Sequence, residues 1–320
     1  MGRAALRLLS HPHRALTHPA APKPPSTMSS DTITHGAPAK VNLFLAITGR
    51  RDDGFHNLVS IAAPITLEDS LELTPAREDE LTCDMKGVPT GPENLVWKAV
   101  RLWRQATGWD HPLRIVLRKR IPHGAGLGGG SSDATTAILA LQRMVPEPLG
   151  MTALREIAAK VGSDCNIFLE AVPTTMHGRG EITRPLGAKA ASAISGRRIL
   201  LFKPPFGIDT AWAYGRLAAN PANYVRQSWA DERLDAFQSG AIPIEDLLFN
   251  NMQPPVFDKY PALPLLLNDL KERYGLHCLM SGSGSSCFAL LPHGHDCTAA
   301  MRHIRECWGP DAFIHHVELR

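Results

Sequence analysis

The sequence predicts an α+β protein of two domains, and three observations lead there. A chain of 320 residues, 44% of them hydrophobic, is long enough to bury two moderate cores side by side. Short runs of period-two alternation are interspersed with runs at helical spacing along the chain. A small and polar segment, residues 188–196, interrupts this pattern and places the boundary near Pro185.

Folded sequence begins near residue 37, where Val41, Leu43, Leu45 and Ile47 alternate with side chains facing the other way, as in a strand. The charged turn Arg50-Arg-Asp-Asp-Gly-Phe-His56 follows, and residues 58–67 and 70–74 read as two further short strands. Residues 94–107 carry Leu95, Val96, Ala99, Val100, Leu102 and Trp103 at helical spacing, with Gly108 as the stop. Leu113, Ile115 and Leu117 mark a strand that runs straight into Pro122-His-Gly-Ala-Gly-Leu-Gly-Gly-Gly-Ser-Ser-Asp133. Ala134, Ala137, Ile138 and Leu141 then recur at helical spacing up to Pro146. A second helix over residues 152–161 stops at Gly162 and leaves Asp164 just past its end. Beyond the boundary come a strand at 198–202, helices at 210–218 and 261–274, and a hairpin-like pair around Ser281-Gly-Ser-Gly-Ser-Ser286. No internal repeat is visible.

Composition excludes several partners. Four of the 34 basic residues (Arg3, Arg7, Arg14 and Lys23) lie in the first 30 residues, which contain no acid; the rest holds 30 basic against 31 acidic residues. A body so close to neutrality lacks the basic stripe that nucleic-acid backbones require. No apolar run approaches the roughly 18–20 residues that cross a bilayer; even Ile199-Leu-Leu-Phe202 is bounded by Arg198 and Lys203. The expectation is a soluble, cytoplasmic protein. The six cysteines show no CxxC pair and no His-Cys spacing of the zinc type, and read as apolar fillers in a reducing compartment. Residues 1–34 read as a disordered extension. An Arg-rich leader and a start at Met28 are the alternatives, and the prolines from Pro19 to Pro25 oppose a targeting helix.

Five glycines between 124 and 130 let backbone N–H groups approach an anion without obstruction from Cβ atoms. Ser131 and Ser132 then open a helix whose first turn has free N–H groups and a partial positive charge. Strand, glycine loop and helix follow one another as polyphosphate binding requires. The loop is not a Walker A motif, since Gly130 stands where its lysine would be. Gly124, Gly126 and Gly129 satisfy G-x-G-x-x-G literally, but the acid that a dinucleotide fold wants about 20 residues on is replaced by Pro146-Glu-Pro-Leu-Gly150. The second glycine-serine loop, at 281–286, reads alone as a tight turn, but two such loops from distant parts of the chain favour a shared phosphate site. Phosphoryl transfer further needs a carboxylate beside the acceptor hydroxyl and a cation beside the phosphoryl oxygens; Asp164 and Lys40 are the right types.

Three segments in order, Ala37-Pro-Ala-Lys-Val-Asn-Leu-Phe-Leu45, the 122–133 run and Met280-Ser-Gly-Ser-Gly-Ser-Ser-Cys-Phe288, resemble the motifs of the GHMP kinase superfamily. The similarity spans about residues 37–291. Thr48-Gly-Arg-Arg-Asp-Asp-Gly-Phe-His56, Glu93-Asn-Leu95 and Gly178-Arg-Gly-Glu181 are similar to the branch whose acceptor is a cytidine-diphosphate-linked methylerythritol, an ATP-dependent step of non-mevalonate isoprenoid synthesis. The resemblance implies residues 35–185 as an ATP-binding domain like ribosomal protein S5 domain 2 and residues 186–320 as a ferredoxin-like domain. It implies Lys40 and Asp164 as the catalytic pair and ATP on Pro122, His123, Gly124, Ala125, Gly126, Leu127, Gly128, Gly129, Gly130, Ser131 and Ser132. Asn42, Ser283 and Gly284 would lie at the acceptor. His56 would read the cytosine edge, with Phe55 and Tyr214 stacked on its faces. Mg2+ would accompany ATP, with Ser132 the candidate protein contact. One departure stands out: Gly162-Ser-Asp-Cys-Asn166 replaces the Gly-Ala-Asp-Val-Pro common in the family, removing a rigid proline just after Asp164.

Competing expectations are another GHMP kinase acting on homoserine, mevalonate or a sugar, an oxidoreductase using the literal G-x-G-x-x-G, and a catalytically dead nucleotide-binding module. The Phe55-His56 pair argues against the first.

Overall fold

The computed structural model describes residues 32–320. The reading of residues 1–34 falls almost wholly outside them, although Ile33 and Thr34 are already in strand.

The first half contains β1 (Ile33–Arg50), β2 (His56–Pro75), β3 (Glu80–Cys83), α1 (Leu95–Thr107), β4 (Leu113–Arg118), α2 (Gly129–Gln142), α3 (Met151–Val161), β5 (Thr174–His177) and β6 (Ile182–Pro185). The second contains α4 (Ala188–Ile194), β7 (Arg198–Lys203), α5 (Thr210–Ala218), α6 (Gln227–Ser239), α7 (Ile244–Leu247), β8 (Phe249–Asn250), α8 (Gln253–Phe257), α9 (Ala262–Tyr274), β9 (Cys278–Met280), β10 (Cys287–Leu290), α10 (Thr298–Trp308) and β11 (Phe313–Glu318). Asn94 caps α1 by accepting from the Val96 N–H at 2.9 Å, and Gly108 closes it at φ 70°.

A seven-stranded sheet runs β3-β4-β2-β1-β8, with β5 paired to β2 and β6 to β5. A four-stranded antiparallel sheet runs β11-β7-β10-β9, the strand order of a ferredoxin-like fold. The expected division at Pro185 separates the two sheets except at β8, which lies parallel to β1 in the first.

Three buried clusters hold these layers. Leu71, Leu73, Ile115 and Leu117 pack under α1, α2 and α3. Alternate residues of β7 face opposite ways, as strand geometry dictates: Ile199 and Leu201 join Val59, Ile61 and Phe288 between the sheets, while Leu200 and Phe202 face α5, α8, α9 and α10. Because the cluster between the sheets is shared, neither half has an apolar face of its own to leave uncovered.

Four expectations change. The alternation in β1 breaks at Leu43, where a bulge shifts the register between Asn42 and Phe44. Val41 and Leu43 therefore join one cluster, Leu45 and Ile47 another. Residues 58–74 form one strand rather than two, because Asp69 is satisfied inside the fold by the N–H groups of Arg120 and Ile121 and by Lys119. The segment 188–196 is largely the helix α4, which buries Ala190 and Ile194. Helix α2 starts at Gly129, two residues before Ser131.

Candidate functional site

A cleft of about 1170 Å³ separates the glycine loop, the head of β1 and α5. Its volume exceeds the ~300–1,000 Å³ of a typical single-ligand pocket and suits two substrates at once.

One wall is the glycine run. Gly124, Gly126 and Gly128 have φ of 61°, 74° and 70°, the left-handed region that favours glycine. Gly128 is the N-cap of α2, and no side chain caps that end, so the first N–H groups of the helix are left for an anion. A Cβ on Gly126 would stand 2.3 Å from the carbonyl oxygen of Ser281. Only glycine admits the second loop so close. The Ser286 N–H donates to the Ala125 carbonyl at 3.2 Å, and Ser281 Oγ to the Gly126 carbonyl at 3.2 Å. Asn250 on β8 steadies the second loop by donating to the carbonyls of Met280 (2.7 Å) and Gly282 (2.9 Å).

Pro122, His123, Gly124 to Gly130 and Ser131 all line the cleft, as do Asn42, Phe55, His56, Tyr214 and Ser283. Two expected residues do not. The Ser132 hydroxyl is fully buried and unpartnered, because α2 begins earlier than expected and its phase turns Ser131 outward instead. Gly284 packs inward; a Cβ there would stand 2.7 Å from Met280 Sδ and 3.0 Å from Ile208 Cδ1.

Lys40 and Asn42, two apart before the β1 bulge, share the face turned to the cleft. Lys40 Nζ donates to Asn42 Oδ1 at 2.6 Å and lies 3.4 Å from Asp164 Oδ2. Asn42 Nδ2 in turn donates to Ser60 Oγ at 3.0 Å, and Ser60 Oγ to the Phe44 carbonyl at 2.6 Å. The ammonium is thus aimed by a chain of three hydrogen bonds from β1 and β2. Its side chain is 6% exposed, whereas that of Asp164 is 33% exposed. The carboxylate is held by one cation and open on its other side.

The segment after Asp164 is held by hydrogen bonds. Asp164 leads a 3₁₀ turn, Cys165–Phe168, in which Thr135 Oγ1 donates to the Cys165 carbonyl and Asn166 Nδ2 to the Glu181 carbonyl, each at 3.0 Å. The turn is anchored at both replaced positions.

At the other end of the cleft the His56 ring stands 5.0 Å from Tyr214 and 6.0 Å from Tyr224, centroid to centroid. His56 Nε2 is buried without a partner. Burial, with a contribution from Arg50, lowers the His56 pKa, so the ring is neutral at pH 7 and offers one donor and one acceptor. Burial and then the charge of Asp164 raise the Tyr214 pKa, so its phenol stays protonated. Phe55 is half exposed, and the Arg179 guanidinium sits 4.8 Å over its ring.

Sequence reasoning missed Lys119, Asp69 and Asp133. Lys119 Nζ donates to Asp133 Oδ2 at 2.6 Å and to Asp69 Oδ2, beside the first turn of α2. Burial raises the Asp133 pKa to about 7, against the lowering effect of Lys119. The one available signal was a lysine a few residues before a glycine loop. For Mg2+ the protein donor set does not form a site: Ser132 is turned away, Asp133 is committed to Lys119, and the only three-ligand group among the described residues, Asp269, His303 and Cys307, belongs to α9 and α10. No helix among the described residues is long and apolar enough to cross a membrane.

Comparison with known proteins agrees with this geometry. The family model for the GHMP kinase N-terminal domain matches residues 94–169, and that for the C-terminal domain residues 235–308. The 4-diphosphocytidyl-2-C-methyl-D-erythritol kinase of Nitratidesulfovibrio vulgaris (strain DP4) is 37% identical over 280 residues, 86% of this chain and 96% of its own. That of Methylacidiphilum infernorum (isolate V4) is 38% identical over 276 residues, 82% of this chain and 88% of its own. A crystal structure of 4-(cytidine 5'-diphospho)-2C-methyl-D-erythritol kinase superposes with a TM-score of 0.71 at 32% identity, over 89% of this chain and 99% of that one. Homoserine kinase from Cytophaga hutchinsonii, at 16% identity and a TM-score of 0.68 over 92% of this chain and 96% of its own, shares the fold. With identity above 30% over most of both chains, the chain belongs to the GHMP kinases and, among them, to the 4-diphosphocytidyl-2-C-methyl-D-erythritol kinase family.

Proposed function

We propose that this chain transfers the γ-phosphate of ATP to the 2-hydroxyl of 4-diphosphocytidyl-2-C-methyl-D-erythritol. The observation that carries the proposal is the Lys40–Asp164 pair, 3.4 Å apart in the same cleft as an uncapped, glycine-led helix N-terminus and an unpartnered neutral histidine among aromatic rings.

The triphosphate lies against the backbone N–H groups of the loop and α2, where aligned peptide dipoles favour negative charge. Cytosine occupies the aromatic end, with its edge on His56 and its face on Tyr214 or Phe55. That places the acceptor hydroxyl between Asp164 and the γ-phosphate. Lys40 Nζ, held by Asn42, offsets charge on the transferring phosphoryl oxygens, and Asp164 takes the hydroxyl proton as the new P–O bond forms and the bond to the leaving ADP oxygen breaks. A loose transition state asks little nucleophilic push of a tertiary alcohol, so positioning and charge compensation supply most of the rate. Mg2+ would accompany ATP, held by the phosphate oxygens and water, and would offset charge on the phosphoryl oxygens. Domain assignments at 35–185 and 186–320 follow from the same reading.

A coupled ADP-release assay over a panel of alcohols tests it. Turnover with the cytidylylated methylerythritol, and at least a hundredfold less with homoserine, mevalonate or galactose, is the expected result. ATP binding without turnover of any acceptor would make the chain a nucleotide-binding module instead.

A further inference from the structure

Away from the cleft, α9 and α10 bring together three side chains that phosphoryl transfer does not use. His303 and Cys307 are one helical turn apart on the same face of α10, and Asp269 faces them from α9. Such a set has no paired-cysteine signature, because two ligands share one helical turn and the third comes from another helix.

We propose that Asp269, His303 and Cys307 bind a divalent d-block cation, zinc by preference, that ties α9 to α10. His303 Nε2 is 3.1 Å from Asp269 Oδ2 and 3.6 Å from Cys307 Sγ, and the three ligand atoms all lie within 4.8 Å of one another. Donors around a tetrahedral zinc, at about 2.0–2.1 Å for N and O and about 2.3 Å for S, stand roughly 3.3–3.6 Å apart. The Cys307–His303 separation already matches, the His303–Asp269 one falls about 0.2 Å short, and a small rotation of the exposed Cys307 closes the third. One nitrogen faces both neighbours. A single Nε2 proton can serve only one of them, whereas a cation on that lone pair serves both.

The surroundings agree. Glu306 Oε2 lies 3.8 Å from His303 Nδ1, beyond hydrogen-bond distance but on the side from which an exposed carboxylate can turn in to orient a metal-bound imidazole. The His303 side chain is 11% exposed and Tyr274 lies 5.9 Å from its ring, while Cys307 is exposed and leaves a fourth position to water. Arg273, 3.8 Å from Asp269 Oδ2, competes for that carboxylate, but its own side chain is 61% exposed and free to turn away. Thiolate, imidazole and carboxylate together select zinc over magnesium or calcium. The set is far from the catalytic pair in the chain, but α9 leads through Gly275 into β9 and the second glycine loop, so the ion would brace the frame of that loop.

Cobalt(II) is the probe. The full chain, stripped with chelator and dialysed, should develop a near-ultraviolet thiolate-to-cobalt charge-transfer band that saturates at one equivalent and is displaced by zinc. Cys307→Ser should abolish the band, His303→Ala should weaken cobalt binding by about tenfold or more, and Cys278→Ser should leave it unchanged. Zinc should raise the melting temperature of the unaltered chain and not that of Cys307→Ser. All variants should keep kinase turnover, which shows that they fold. Absence of the band, or a band that survives Cys307→Ser, would overturn the proposal.

Discussion

Lys40 and Lys119 line the same cleft and each faces aspartate, but they are built for opposite ends. Lys119 is 4% exposed and shared by two carboxylates, Asp69 (fully buried) and Asp133 (4% exposed). Burial works against its charge, and the attraction of Asp133 and Asp69 overcomes it, raising the pKa. Asp69 also accepts the N–H groups of Arg120 and Ile121, so the trio pins the strand before the glycine loop to the first turn of α2. Lys40 has a single carboxylate 3.4 Å away, and its shortest hydrogen bond goes to a neutral amide. A saturated lysine holds structure. An unsaturated one, aimed by a neutral side chain, keeps electrostatic capacity for a ligand.

The sharpest break in this contrast is Asp164→Asn. The amide keeps size and position but cannot take the hydroxyl proton, so kcat should fall by about 10²- to 10⁴-fold, with ATP affinity and melting temperature little changed. Near-normal turnover would remove Asp164 from the chemistry. Lys119→Met should do the reverse. It leaves two buried carboxylates without their cation and should cost about 3–5 kcal/mol of stability, read from the urea midpoint. Were this variant as stable as the parent, the trio would not be a structural brace.

The halves of this contrast were not equally legible in the sequence. Glycine clusters and the residues beside them are local signals, so both loops, Lys40 and Asp164 could be placed from spacing and motif, and the cleft brings them together. The trio joins a mid-strand acid, a loop lysine and a helix residue through pairing that no local pattern encodes. Asp69 in fact read as an interruption of β2. The turning of Ser132 and Gly284 away from the cleft was illegible for a shared reason: each depends on backbone phase inside a glycine-rich segment, where the absence of side chains removes the periodicity on which such assignments rest. The bulge at Leu43 escaped for a related reason, since both phases of β1 are apolar from Leu43 to Ile47.

Gly128 distinguishes the two lysines by distance. A Cβ there would stand 3.1 Å from Lys40 Cγ and 3.0 Å from the Phe168 ring, on a backbone at φ 70°. Gly128→Val should therefore weaken ATP binding by about a hundredfold, roughly 2.7 kcal/mol by the usual conversion of affinity to free energy, and displace Lys40 while the trio stays intact. Calorimetry showing unchanged ATP affinity would mean that this loop does not cradle phosphate.

The smallest expected effect concerns the proton on Asp133. Its pKa is raised to about 7 by burial, above the value near 4 of an unfolded aspartate. Between those two values the native chain holds a proton that the unfolded chain has lost, so unfolding free energy falls as pH rises through that window and levels off above it. Asp133→Asn abolishes this titration and retains a polar group beside Lys119. Relative to the variant, the parent should thus lose about 1 kcal/mol of stability between pH 6 and pH 8, measured as the difference in urea-derived free energies at each pH. The sign is the discriminating feature. A carboxylate stabilised mainly by its lysine would have a depressed pKa, and the parent would then lose stability toward acid instead. A parent that gained on the variant from pH 6 to pH 8 would show the charge of Lys119 outweighing desolvation, and would make the trio a fully ionised brace rather than one that stores a proton beside the phosphate cradle.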